Sequence, residues 1–182
     1  MSVAQPIAPA SDAVPLLETE RLRLRGHRAD DHAALAAIWA DPVVVRHIGG
    51  KPSSAQEAWM RLLRYQGLWR LLGYGYWAIE EKSSGRCIGD IGYADFKREI
   101  VPTLDGMPEL GWVLASDTHG KGYASEALAA VLGWGQSHFG EHRAVCMIEP
   151  DNAASVRLAE KVGFRRWQET SYHGVPILLF SR

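Results

Sequence analysis

The sequence predicts a mixed α/β domain, a mostly antiparallel sheet interrupted by a single parallel βαβ crossover. Three observations carry this. Apolar residues recur at spacings of three to five over residues 53–73 and then switch to a period of two over residues 74–96. Two pairs of period-two stretches are joined by short glycine-containing turns, which is hairpin and hence antiparallel patterning. Between residues 109 and 149 the order is strand, glycine turn, helix, strand, the connection a parallel pair requires.

Taken in order, "RLRLRGH" alternates Leu22 and Leu24 with arginines and reads as a strand. "ADDHAALAAIWADP" reads as a helix, with Asp30 or Asp31 as N-cap and Asp41-Pro42 closing it. "SSAQEAWMRLLRYQGLWRLLG" is a longer helix, capped by Ser53 or Ser54 and stopped by Gly73. "YGYWAIEE", the turn "KSSG" and "RCIGDIGYADF" form a hairpin. After the loop "EIVPTLDG" comes the strand "MPELGWVLA", then the glycine turn "HGKG" and a helix from about Tyr123 to His138. "RAVCMIE" is a strand, and "DNAASVRLAEKV" a shorter helix with Asp151 or Asn152 as cap and Gly163 past its end. "FRRWQETSYHGVPILLFSR" closes as a hairpin turning at His173-Gly174.

Composition narrows the function classes. At 182 residues, 47% hydrophobic and 23% charged, the chain suits one globular domain. A net charge of −1 gives no electrostatic reason to expect a nucleic acid as main partner. Residues 1–16, rich in Ala and Pro, lack the basic and apolar regions of a secretion signal and read as a flexible leader before a domain at 17–182. No apolar run approaches the roughly 18 residues needed to cross a bilayer. The two cysteines, Cys87 and Cys146, lie in apolar strands and read as buried reduced thiols, which suits a cytoplasmic protein. His138 and His142, in "HFGEH", are interrupted by Gly140 and match no metal-binding spacing, so no metal is expected.

The stretch "SDTHGKGYASEAL" holds the main chemical signal. Gly120 and Gly122 lack a Cβ, Ala124 is small, Lys121 is cationic and Ser125 carries a hydroxyl, all where a helix begins. Free amides at a helix N-terminus attract phosphate. The Walker A pattern fails here, because Gly122 follows Gly120-Lys121 and Ala115 stands at the first glycine position. The dinucleotide fingerprint fails at its third glycine, where Ser125 stands. A third template, Gln/Arg-x-x-Gly-x-Gly/Ala, fits in register with His119 in place of Gln or Arg.

With "LETERLRLR", "ADPVVVRHIG", "GRCIGDIGY", "ELGWVL", "HGKGYASEAL" and "DNAASVRLAEKVGF" in this order, the chain resembles the GNAT superfamily of N-acetyltransferases, and within it the RimJ/RimL-type branch. The resemblance implies a splayed sheet with helices on both faces and acetyl-CoA as co-substrate. "ELGWVL" and "RAVCMIE" would part at one end and admit the pantetheine arm. Main-chain groups of Trp112, Val113 and Leu114 would pair with it, and the Trp112 amide would polarise the thioester oxygen. The turn from His119 through Gly120, Lys121, Gly122, Tyr123 and Ala124 to Ser125 would hold the pyrophosphate, and Asn152 would contact the cofactor near pantetheine.

Acetyl transfer to an amine needs a group to take the amine's proton and one to protonate the departing thiolate. Glu109, which opens the strand carrying Trp112, is the candidate base, with Asp90 and Tyr93 as weaker candidates. Many relatives place a tyrosine acid seven residues after the asparagine, but this chain has Ala159 there. Ser155 occupies the slot of a serine that stands near the sulfur in the RimL-like branch, and so is the candidate proton donor. Among the seven tryptophans, Trp39, Trp59, Trp69 and Trp77 are expected mainly in the core, with one or two lining the acceptor site, as is His47. The expected activity is direct acetyl transfer to a primary amine, a protein N-terminus or a small molecule; a catalytically weak acyl-CoA sensor is the alternative. Homodimers are common among such proteins, although nothing in this sequence establishes one.

Overall fold

A computed structural model describes residues 14–141 and 143–182. One eight-stranded sheet runs through the molecule: β1 (Leu17–Glu18), β2 (Leu22–Arg25), β3 (Tyr76–Glu81), β4 (Cys87–Ala94), β5 (Glu109–Leu114), β6 (Val145–Ile148), β7 (Arg165–Tyr172) and β8 (Val175–Ser181). The strand order is β1-β2-β3-β4-β5-β6-β8-β7, and among these pairs β5 with β6 alone is parallel. The mixed sheet with one crossover is therefore as the sequence predicts. Sequence patterning did not reveal β1, a two-residue edge, nor that β8 inserts between β6 and β7.

The helices are α1 (His32–Ala40), α2 (Pro42–Val45), α3 (Ala55–Leu72), α4 (Tyr123–Phe139) and α5 (Ala153–Lys161). Local chemistry sets their limits. Ser54 accepts from the Glu57 amide and Glu57 from the Ser54 amide, a reciprocal cap that starts α3, and Gly73 ends it in the left-handed region at φ 75°. Asn152 Oδ1 accepts from the Ser155 amide at 3.1 Å and starts α5. Asp41 both ends α1 and caps α2, accepting from Val43 N at 2.8 Å.

One cap is not as expected. Asp31 precedes α1, but its carboxylate makes no helix cap; it takes a two-pronged bond from Arg25 at 2.7 and 2.8 Å and one from the Arg28 amide. Arg25 is nearly buried and also meets Glu80 at 2.6 Å, so its charge is matched on two sides.

Leu22, Leu24, Ile79, Ile91 and Leu110 pack with α4 residues Ala127, Leu128 and Val131 on one face of the sheet. On the other face Ala78, Cys87 and Val113 meet Leu35, Trp39 and Leu62 of α1 and α3. Asp90 stands within this second layer, fully buried, holding His27 Nε2 at 2.6 Å and Trp39 Nε1 at 3.0 Å. That junction ties α1 to β4 by satisfied polar contacts. Positions 1–13 of the expected leader lie outside the described residues. Of the rest, Val14 packs on the main core and the Pro15 carbonyl accepts from Trp77 Nε1 at 2.8 Å.

Burial alone raises the carboxyls of Asp31 and Glu80, yet the Arg25 hydrogen bonds outweigh it and hold both below the ordinary carboxylate range. Carboxyls depressed on folding add stability that is present above their unfolded values and is lost as pH falls through the folded ones. Urea unfolding of the wild type should therefore lose midpoint below about pH 4 to 5, and Asp31→Asn, less stable at pH 7, should show a flatter decline. A parallel decline in both proteins would mean that this junction is not what acid disrupts.

Candidate active site

β5 and β6 pair at one end and then separate. β5 and β6 are registered at Glu109↔Val145, with Val145 N donating to the Pro108 carbonyl at 3.1 Å. No later pair between them is formed. Along β5, backbone groups alternate in direction. Ala115 N donates to Ile88 O, so Glu109, Gly111 and Val113 address β4, while Leu110, Trp112 and Leu114 address the β6 side. The main chain of Trp112 thus faces a gap where a strand partner is missing. This corrects one expectation. Val113 turns its amide and carbonyl toward β4, so it contributes only its side chain to the gap.

The gap opens into a cavity of about 660 Å³. Glu109, Gly111, Trp112 and Val113 of β5 line it, together with Cys146, Met147 and Ile148 of β6 and Asn152 and Ser155 at the start of α5. Its opposite wall comes from Trp39, His47, Arg61, Arg64 and Tyr65. Glu109, Ser155, Trp112 and Asn152, expected at one site from separate motifs, are all in its lining. Gly111 allows the floor to form, because a Cβ there would meet the Tyr76 hydroxyl oxygen at 2.2 Å. Tyr76 in turn stacks on Tyr65 at 4.5 Å with the rings nearly parallel, and burial pushes both phenols above their ordinary values.

The glycine turn lies beyond the end of β5. Gly120 and Gly122 take φ of 75° and 81°, and no heavy atom lies within 4 Å of where a Gly120 Cβ would be. Glu126 N is the first amide of α4 to reach a carbonyl of the turn, Gly122 O, at 3.1 Å. The amides from Gly120 through Lys121, Gly122, Tyr123 and Ala124 to Ser125 find no acceptor among the described residues. They form a row of donors at the positive end of a helix, which suits a pyrophosphate. His119 departs from the expected pattern. Its amide bonds Ser116 O at 3.2 Å and its ring nitrogen Nε2 meets Leu114 O at 3.0 Å, so the row of free amides begins one residue later.

Three residues that the motifs did not reveal complete this end. Arg21 donates to Lys121 O at 2.9 Å and pairs with Glu126 at 2.7 Å. Thr19 also donates to Glu126, so the one carboxylate in the first turn of α4 is matched before an anion arrives. Lys161, at the end of α5, reaches Ser125 Oγ at 3.4 Å. All three act across the fold, and no local spacing announces them.

The remaining candidates sort by position. Arg98 grips Glu109 in a two-pronged bond at 2.6 and 2.8 Å. Asp90 is sealed under Trp39 and His27, and Tyr93 is packed against Gly135 of α4, its phenol pushed up to about 12 by burial. Neither Asp90 nor Tyr93 lines the cavity. His47 does, 3.8 Å from Glu149. Trp69 and Trp77 are core, whereas Trp39 and Trp112 reach the cavity. Cys146 lines it too, but burial raises its thiol well above the ordinary value, which removes it as a nucleophile. His138 stacks on Trp134 and carries a lowered value from burial, while His142 lies outside the described residues.

A splayed sheet, an open β5 edge and a row of free amides at the start of the crossover helix suit an acetyltransferase. A family model described as "Acetyltransferase (GNAT) domain" matches residues 21–165. The chain belongs to this family and is an acyltransferase. Among proteins it resembles is YkkB of Bacillus subtilis (strain 168), 31% identical over 91% of this chain and 94% of that one. A solved structure described as a GnaT-family acetyltransferase from Bordetella pertussis superposes with a TM-score of 0.81 at 30% identity, covering 93% of this chain and 99% of the other. The RimL ribosomal L7/L12 alpha-N-protein acetyltransferase, solved with coenzyme A, shares the fold at a TM-score of 0.72 and 18% identity, over 92% and 97% of the two chains.

Proposed function

We propose that the protein transfers an acetyl group from acetyl-CoA directly to a primary amine, both substrates bound together in the cavity between β5 and β6. The observation that carries this reading is the unpaired Trp112 main chain facing the cavity, and the free amides from Gly120 to Ser125 beyond the end of β5 support it. A pantetheine arm supplies the strand partner that β6 does not, and a pyrophosphate the acceptors that the turn lacks. The RimL structure with coenzyme A, named above, supports the choice of ligand.

Acetyl-CoA brings an already activated thioester, so the chain's task is alignment and proton movement. The Trp112 amide donates to the thioester carbonyl oxygen, where negative charge grows. As the amine nitrogen bonds to the carbonyl carbon, Glu109 accepts the amine proton, directly or through a water. Arg98 occupies one lone pair on each Glu109 oxygen and leaves others free to accept. The carbon–sulfur bond breaks with its electron pair going to sulfur, and the Ser155 hydroxyl passes its proton to the thiolate while taking one from a water in the open cavity, so that CoA leaves as the thiol. Asn152 holds the Ser155 amide and so places that hydroxyl at the cavity wall. The acceptor is a protein N-terminus or a small amine. Two free, buried cysteines fit a cytoplasmic setting.

Thiol release from acetyl-CoA, measured against a panel of amines, tests the activity; no release with any primary amine would refute it. Gly122→Val forces a β-branched residue to positive φ and fills the cradle. The variant should fold, by circular dichroism, yet bind CoA at least about tenfold more weakly by calorimetry; retained affinity would contradict the cradle. Glu109→Gln should lower kcat/KM about 100-fold near neutral pH, and an unchanged pH–rate profile would remove Glu109 as base. Ser155→Ala should slow kcat more than it weakens CoA binding, whereas equal losses would leave Ser155 a binding role only.

A further inference from the structure

The far wall of the cavity carries two guanidinium groups, and Glu57, one turn before Arg61 on α3, senses the Arg61 charge without forming an ion pair with it. Arg61 and Arg64 stand three apart on α3, hence on one face of the helix, and both line the cavity. Neither makes an ion pair with a carboxylate among the described residues. The other cations of the lining are matched, Arg98 by Glu109 and Lys97 by Asp95 at 2.6 Å. Arg61 Cζ stands over the Trp39 ring, 3.6 Å from its centroid, and its Nε is shut off from solvent without a hydrogen-bond partner. Arg64 lies 5.2 Å from the Phe96 ring and remains exposed. Both sit across the cavity from Asn152 and Ser155, on the α1–α3 side of the sheet, away from the cradle at the start of α4.

We propose that Arg61 and Arg64 form an anion clamp for the acceptor, so that the acceptor is an amine that also carries a carboxylate or phosphate group. This rests on the acetyl-transfer reading above and names its substrate class. Guanidinium groups offer planar, paired donors suited to such oxygens, and a cavity wall focuses their field on an entering ligand. The clamp holds the acidic end of the acceptor on α3 and leaves its amine free to reach Glu109. Two sources of the anion share this chemistry, an acidic residue near a peptide N-terminus and the acid group of a small amino acid.

Calorimetry on the CoA-saturated protein separates them with matched pairs, the peptides Ala-Asp-amide and Ala-Asn-amide, and β-alanine and its amide. In at least one pair the acidic member should bind at least tenfold more tightly, and the pair that does so identifies the source. The preference should vanish in the R61Q/R64Q double variant and fall about threefold in R64Q, whose exposed side chain the fold does not need, with CoA affinity unchanged in both. Equal binding within both pairs, a preference that survives the double substitution, or a matching loss of CoA affinity would overturn the clamp. Thiol release separates the two readings. Binding of acidic amines without release would refute acetyl transfer and leave the clamp, whereas equal turnover of acidic and neutral amines would do the reverse.

Discussion

The structure depends on β5 and β6 meeting once and then parting. A parallel pair normally continues its ladder, because each unpaired amide or carbonyl shut away from water costs about 1 to 3 kcal/mol. Here the ladder stops after Glu109↔Val145, and the Trp112 main chain is left facing a cavity. The separation is sustained from both sides. β6 is committed on its other edge to β8 through four registered pairs, from Val145↔Ser181 to Ile148↔Leu178. β5 is held along its whole length by β4, from Ala94↔Glu109 to Gly89↔Leu114. Each strand keeps a partner on its outer edge, and the two edges that face the gap are the ones left open. The fold thus presents an unfinished ladder, with the Trp112 main chain as its open rung.

Charge is arranged differently at the two ends of this gap. At the start of α4, the carboxylate of Glu126 would repel an incoming pyrophosphate, but Arg21 and Thr19 take up its oxygens. The helix dipole and the free amides there are left without an unpaired carboxylate in the first turn of α4. At the other end, Arg98 holds Glu109 in place and lowers the cost of keeping a carboxylate almost out of solvent. Arg61 and Arg64, by contrast, form no ion pair with a carboxylate among the described residues, which gives their wall of the cavity a sign.

Much of this was legible because it is written locally. The Ser54–Glu57 cap, Gly73, the Asn152 cap and the glycines of the phosphate turn each declare themselves within four residues, and the structure places each where the pattern does. Glu109, Trp112, Asn152 and Ser155 were found because motifs marked them, and the sheet brings them to one cavity. What escaped is what acts over distance. Arg21 reaches Glu126 across more than a hundred positions, and Lys161 reaches Ser125 from another helix. The capping pattern "ADD" misled because Asp31 had a stronger claimant in the buried Arg25. Val113 was assigned to the cofactor as part of a run, although pleating sends alternate residues to opposite neighbours.

Ala159 shows how the site and core constrain each other. A tyrosine acid at this position would need its ring to leave α5 toward the gap. In this chain Ala159 is wholly buried in the main core, and its carbonyl accepts from Phe164 N at 3.0 Å where the chain turns into β7. Phe164 is itself almost fully buried in the same core, so that space is already occupied. Ser155 lies one turn earlier on the same face of α5, and there the face reaches the cavity instead of the core. The helix therefore passes from cavity to core within a single turn. With Ala159 fixed by packing, this face of α5 presents its hydroxyl to the cavity in the first turn, where Ser155 stands.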